Sequence, residues 1–164
     1  MRWYSWQNWS KFPKLYGLHE NIMRYCIEKM DFKAEKVAFD VPVGSPRPFA
    51  GSYNKQSVEA WNYQTSHRID ALVKFSNYYE LWEIKPEADL ASLGQTLLYY
   101  DLFTNSYPTY KPLYARLVTI DLHNQIEKLC NDYGIKCTKL KMTDVAMTII
   151  HPFQHLFDEE NNEK

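Results

Sequence analysis

The sequence predicts an α/β domain: a mixed β-sheet flanked by helices, with elements in the order α-β-β-β-α-β-α-β. Three observations carry this expectation. Residues 68–75 alternate in polarity, with Ile69, Ala71, Val73 and Phe75 apolar between Arg68, Asp70 and Lys74, and Leu72 the one exception. The alternation resumes from Tyr79 to Lys85 after Ser76-Asn77, the period-2 signature of two strands joined by a turn. Stripes of apolar residues at helical spacing stand on both sides of this hairpin. Finally, residues 113–142 read strand–helix–strand with short links, which implies a right-handed crossover and a parallel pair.

Residues 1–16 contain Trp3, Tyr4, Trp6, Trp9, Phe12 and Tyr16 among Arg2, Lys11 and Lys14. Aromatic rings beside basic residues can stack on unpaired bases, pack on their own domain, or cover a neighbouring subunit. Buried aromatics cover about 150–250 Å² each, more than one domain is expected to absorb here. The segment is therefore expected to be a partner surface, for a second copy or a different protein. Leu15 to Met30 reads as a helix, with Leu18, Ile22, Cys26 and Met30 on one stripe, His19 inside the apolar arc and Glu20 outside it. Lys36–Val43 reads as a strand, ending in Gly44-Ser45-Pro46-Arg47-Pro48, which no regular element tolerates. The loop to about Asn54 and a helical stretch around Gln56–Tyr63 return the chain to the Arg68 strand. Arg47, Tyr53 and Lys55 of this region suit phosphate contacts, or belong to an ordinary surface loop.

Pro86 is expected to end the second hairpin strand. A helix over about Asp89–Thr104 follows, capped by Asp89 or Ser92, with Gln95 and Tyr99 one turn apart on the same face. After the turn at residues 105–108 come a strand at Leu113–Ile120 and a helix capped by Asp121 or Asn124. That helix carries Ile126, Leu129, Cys130 and Tyr133 and ends at Gly134. Ile135–Met142 is the last strand. Residues 143–164 form an amphipathic extension and an acidic tail, in which Pro152 breaks the helix that His151 and His155 would need to bind a metal together. The division expected is thus 1–16, 17–142 and 143–164.

The charges of the hairpin raise a chemical question. A turn centred on Ser76-Asn77 pairs residues whose numbers sum to 153, so Asp70 faces Glu83 and Arg68 faces Lys85. Facing side chains lie about 5 Å apart at Cβ, and like charges so placed are destabilising. Either this face is simply solvated, or a divalent cation compensates the two acids.

Asp70, Glu83-Ile84-Lys85 and Gln95-x3-Tyr99 resemble the PD-(D/E)xK nuclease superfamily, in particular its RecB-like and phage-encoded branches, over roughly residues 15–141. Ile69 stands where the motif's name has proline. The resemblance implies a restriction-endonuclease-like core and a DNA nuclease that uses Mg²⁺, with Mn²⁺ as substitute, in DNA processing, recombination or repair. It implies metal ligation by Asp70, Glu83 and the Ile84 carbonyl. Lys85 would orient water or hold a non-bridging oxygen, Gln95 would position water or phosphate, and Tyr99 would support it. Glu20 is where the resemblance places an additional acid from the first helix. Arg47, Tyr53, Lys55 and Arg68 are the expected DNA contacts. The alternative is a structural part of a phage head or tail, docked through residues 1–16, with weak or no catalysis. Either would work in the host cytoplasm or a virion.

Composition narrows the field further. The 164 residues carry a formal net charge of −1 and 16% aromatics, so charge alone does not announce a nucleic-acid binder. Residues 1–60 hold nine Lys/Arg against six Asp/Glu, a mild basic bias. Cys26, Cys130 and Cys137 have no CxxC or Cys/His spacing, which suggests neither a zinc site nor a disulfide framework and fits a reducing compartment. Neither a signal peptide nor a membrane-spanning stretch is expected.

Overall fold

Among the described residues six strands form one sheet in sequence order, β1 (Tyr4–Ser5), β2 (Lys36–Val43), β3 (His67–Lys74), β4 (Tyr79–Ala88), β5 (Leu113–Leu122) and β6 (Lys136–Lys139). The computed structural model describes residues 1–7, 12–48 and 54–150, the side chains of 147–150 excepted. Strands β1 to β4 run antiparallel to their neighbours, and β4, β5 and β6 are parallel. Five helices are interleaved: α1 (Gly17–Lys29), α2 (Lys55–Thr65), α3 (Leu90–Ser106), α4 (Asn124–Asp132) and α5 (Met142–Ile150). The expected α/β class and mixed sheet are therefore present. No helix among the described residues is long and apolar enough to cross a membrane.

Helices cover both faces, so the central strands are apolar on both sides. On one face Ile22, Met23 and Cys26 of α1 and Val145 of α5 pack against Val37, Phe39, Ala71, Val73, Trp82 and Ile84. On the other, Tyr99 and Phe103 of α3 pack against Ala38, Val41, Val43, Ile69, Leu72 and Leu81. Leu93 of α3, with Ile126 and Cys130 of α4, covers Ala115 and Leu117 of β5.

These memberships locate a break. In β2 the residues facing α3 shift from even (Ala38) to odd (Val41, Val43), and in β3 from even (Leu72) to odd (Ile69). Ile69 therefore does not share a face with Ala71, Val73 and Phe75, as strict alternation predicts. Asp40, at φ 54, stands at the slip in β2, and Asp70 at the slip in β3. Beyond it β3 stays with β2 as far as Val43↔His67, while its ladder to β4 stops at Ala71↔Trp82. β4 in turn follows β5 to Ala88↔Leu122. The sheet parts between β3 and β4, and the candidate site lies at that parting.

The same parting explains why Pro86 does not end β4. The Ile84 N–H points toward β3, where the Asp70 carboxylate receives it. Two residues on, the direction recurs, and proline's missing N–H falls where no ladder remains. Its carbonyl accepts from the Thr119 hydroxyl at 3.2 Å. Other boundaries also differ from expectation. α4 is preceded by His123 with no side-chain cap, in place of Asp121 or Asn124. The last strand is only four residues, because Met142 already begins α5.

The N-terminal aromatics find partners within the domain. Tyr4 pairs with Val37 as an edge strand. The Trp6 ring lies 5.6 Å from Trp82, Tyr4 lies 6.0 Å from Phe39, and Phe12 is buried 5.7 Å from Phe39. The edge of the sheet and the α1 face thus bury Phe12 and cover Tyr4 and Trp6 in part. Tyr16 is exposed. Trp9, Lys11, His151 and His155 lie outside the described residues.

A buried charge cluster joins the parallel strands. Glu80 of β4 is fully buried. It takes Arg116 of β5 bidentately at 2.7 and 3.0 Å, Lys136 of β6 at 2.8 Å and the Trp82 indole N–H at 2.9 Å. Burial works to raise its pKa, but these donors outweigh it and hold the carboxyl below the ordinary range.

Candidate active site

The site grows from the β3–β4 hairpin. Its cross-strand pairs, Lys74↔Tyr79, Val73↔Glu80, Leu72↔Leu81 and Ala71↔Trp82, keep the register in which residue numbers sum to 153. Where the ladder ends, the Asp70 side chain replaces a main-chain partner: its Oδ2 accepts the Ile84 N–H at 2.8 Å. Glu83, on the preceding residue, is 1% exposed. Its Oε1 accepts from Lys85 Nζ at 2.9 Å, and its Oε2 is buried with no hydrogen-bond partner among the described residues. A buried carboxylate oxygen without a donor is costly, so this arrangement is not explained by folding alone.

The electrostatics agree. Burial, then the proximity of Asp70, push the Glu83 carboxyl up to about 8. Asp70 is also raised by burial, against the Ile84 N–H, Lys85 and His19, which favour its charged form. Burial disfavours the Lys85 ammonium, but Glu83 and Asp70 overcome this and hold its pKa above the ordinary value. Lys85 Nζ donates to Glu83 Oε1 at 2.9 Å, and the two acids favour its ammonium form.

Helix α3 closes the site from the other side. Its N-terminus is fixed by a reciprocal capping box, in which Asp89 Oδ1 accepts the Ser92 N–H at 2.8 Å and the Ser92 hydroxyl accepts the Asp89 N–H at 3.4 Å. One turn further, the Gln95 amide donates to Tyr99 Oη at 2.6 Å. Burial raises the pKa of the Tyr99 phenol, and the phenol also feels Glu83, Lys85 and Asp70. It stays protonated and can donate toward them.

The structure thus brings Asp70, Glu83, Lys85, Gln95 and Tyr99 together and leaves other expected residues elsewhere. Glu20 pairs with Arg24 along α1 at 2.9 Å; the α1 side chain whose charge reaches Asp70 is His19. Arg68 does not face Lys85. Its guanidinium is held by Asp40 Oδ1 at 2.6 Å and the Asp40 carbonyl at 2.9 Å, over the Tyr63 ring at 4.2 Å. It is consumed inside the domain, so it is not a ready phosphate contact. Lys55 is exposed and 3.8 Å from Glu59. Arg47 is exposed, its main chain tied to Thr65 and Trp61, and Tyr53 lies outside the described residues. Asp40 was missed by sequence reasoning. It stands beside Asp70, whose carboxyl it pushes upward, and its Oδ2 accepts from Tyr63 Oη at 3.0 Å. An aspartate interrupting the apolar run KVAFDVPV was the available signal.

Among the described residues no three His, Cys, Asp or Glu side chains are gathered as a ready-made metal cage. The donors present are two hard carboxylates and the adjacent Ile84 carbonyl. Mg²⁺ is commonly held by one or two carboxylates, with water and substrate oxygens completing its shell. The partnerless Glu83 Oε2 is the atom that fits such an ion.

No family model matches this chain, and no curated protein matches it. Solved structures with a related fold include a repair endonuclease from Pyrococcus abyssi (19% identity, 63% of this chain and 39% of that one, TM-score 0.40). A protein of unknown function aligns at 14% identity over 74% of this chain and 57% of its own, with a TM-score of 0.49. EndoMS in complex with double-stranded DNA aligns at 16% identity over 80% and 48%, with a TM-score of 0.45. The chain spans about half the length of these proteins.

Proposed function

We propose that this chain is a metal-dependent DNA nuclease of the PD-(D/E)xK superfamily, hydrolysing phosphodiester bonds at the parting of β3 and β4. The observation that carries the reading is Glu83: buried beside a second acid, one oxygen on Lys85 and the other without a donor. Asp70, Glu83 and the Ile84 carbonyl would hold Mg²⁺, or Mn²⁺ in its place. When bound, that ion supplies neutralisation of phosphoryl charge and a more acidic water.

The remaining work belongs to the chain's own residues. Lys85, held as an ammonium, grips a non-bridging phosphate oxygen or orients the attacking water. Gln95 is positioned by its bond to Tyr99, and the Tyr99 phenol keeps a proton available to an oxygen in the site. α3 and the Leu81 side of the sheet exclude bulk water from the carboxylates. Binding of DNA would be directed mainly to its backbone and would weaken with salt.

The test is incubation of plasmid DNA and of linear single- and double-stranded DNA with Mg²⁺ or Mn²⁺, beside a Lys85→Ala control. Cleavage that needs the metal and disappears in the control is expected. Persistence of cleavage in Lys85→Ala, or its absence from the unaltered protein with every substrate, overturns the reading.

A further inference from the structure

A second group of crowded charges lies at the other end of the hairpin. Lys36 of β2 faces Lys74 of β3, and Lys74 faces Tyr79 of β4. Two ammoniums across an antiparallel ladder repel. Lys74 is relieved by Glu35 at 2.6 Å. Lys36 is exposed and, among the described residues, has no ion pair or hydrogen bond from its side chain.

Beside these lysines stand three half-buried rings. Trp3 and Tyr110 are nearly parallel, 17° apart with centroids at 6.3 Å. Tyr79 meets Trp3 at 6.3 Å and Tyr110 edge-on at 5.1 Å. All three rest against the apolar cluster of Leu72, Phe103 and Leu113, which fixes the walls. With Thr109 and the two lysines they line an open cavity of about 300 Å³, the lower end of the size range of small-molecule sites.

The lining selects its ligand by chemistry. A cation would be repelled by Lys36 and Lys74, and an aliphatic group would make no use of them. A planar base bearing a phosphate uses both features: the base stacks on a ring, and the phosphate takes Lys36 and lessens its repulsion from Lys74. We propose that the Trp3–Tyr79–Tyr110 cavity, rimmed by Lys36, binds one unpaired nucleotide. Free mononucleotides and single-stranded nucleic acid both present this chemistry. Tyr79 lies four residues before Glu83 on β4, about 13 Å at the usual strand rise, so a strand anchored here runs within a few nucleotides of the carboxylate pair. That last link rests on the nuclease reading, whereas the binding of a base does not.

Anisotropy of a labelled oligothymidylate of about ten residues, measured in EDTA so that cleavage cannot interfere, tests the site. Unlabelled dTMP and a duplex of equal length serve as competitors. Stacking and phosphate contact are each large enough that Trp3→Ala and Lys36→Glu should each weaken binding at least fivefold. Thermal melting shows which variants are folded; Lys36→Glu changes only an exposed side chain, so it decides the matter if Trp3→Ala unfolds. Competition by dTMP equal to that by the oligonucleotide identifies a free nucleotide as the ligand and supports the site. Folded Lys36→Glu protein with unchanged affinity, or stronger competition by duplex than by single strand, overturns it. If cleavage fails in Mg²⁺ and Mn²⁺ while this binding persists, the nuclease reading falls and the pocket stands.

Discussion

Glu83 and Lys85 form a pair whose members have unequal burial, 1% and 27% for the side chains. Removing the lysine strands a buried acid, whereas neutralising the acid frees the lysine to reach water. In the metal-free protein Glu83→Gln should therefore leave the thermal midpoint unchanged or raise it, by up to about 1 kcal/mol of stability, since it relieves the repulsion from Asp70. It should also abolish metal-dependent cleavage. A clear loss of metal-free stability, seen by thermal melting, would make Glu83 a structural ion-pair partner. This carboxylate pair was readable from the sequence because hairpin register is local: one turn position fixes every facing number. Asp40 and His19 were not readable in the same way. Asp40 reaches Asp70 only through β2–β3 pairing, some thirty residues apart in sequence, and through a left-handed backbone conformation that aspartate tolerates but does not announce. His19 and Glu20 are adjacent on α1, and which of them turns toward the sheet depends on how the helix is rolled.

At the scale of the element, α4 shows how much a single stop signal fixes. Its end is a full Schellman arrangement: Gly134 N–H donates to the Asn131 carbonyl and Ile135 N–H to that of Cys130. Gly134 sits at φ 69, and a Cβ added there would meet nothing within 4 Å. The cost of Gly134→Ala is therefore one of backbone conformation, about 1–2 kcal/mol, with Gly134→Asn losing less. Urea unfolding of both variants measures this; equal loss in the two would point to packing as the cause. Gly134 was legible because it is a residue-type signal. The run through Pro86 and the two-residue β1 were not, since each depends on which neighbouring strand is present: β4 has lost one where proline stands, and β2 offers a free edge to Tyr4.

Over the whole molecule, Glu80 ties β4 to β5 and β6 and sets an acid limit on stability. Its carboxyl is held below the ordinary value, so the contribution is present in full above that value and is lost as pH falls through the lowered one. Glu80→Gln leaves Arg116 and Lys136 without their acceptor, at a cost of about 3–5 kcal/mol, or a fall in midpoint of roughly 6–20 °C for a chain of this size. Thermal melts across pH should show the gap between the two proteins closing below about pH 4; a gap independent of pH would mean packing, not charge, is lost. The triad also constrains how this sequence can diverge. Losing Glu80 or Arg116 strands the other, whereas Lys136 is nearly half exposed and can turn to water; replacing a buried pair with apolar residues of similar volume is often neutral or better. A lineage carrying Glu80 and Arg116 therefore stands on one side of a fitness valley that single substitutions at these two positions do not easily cross, and descendants are expected to keep or exchange the two together while Lys136 varies.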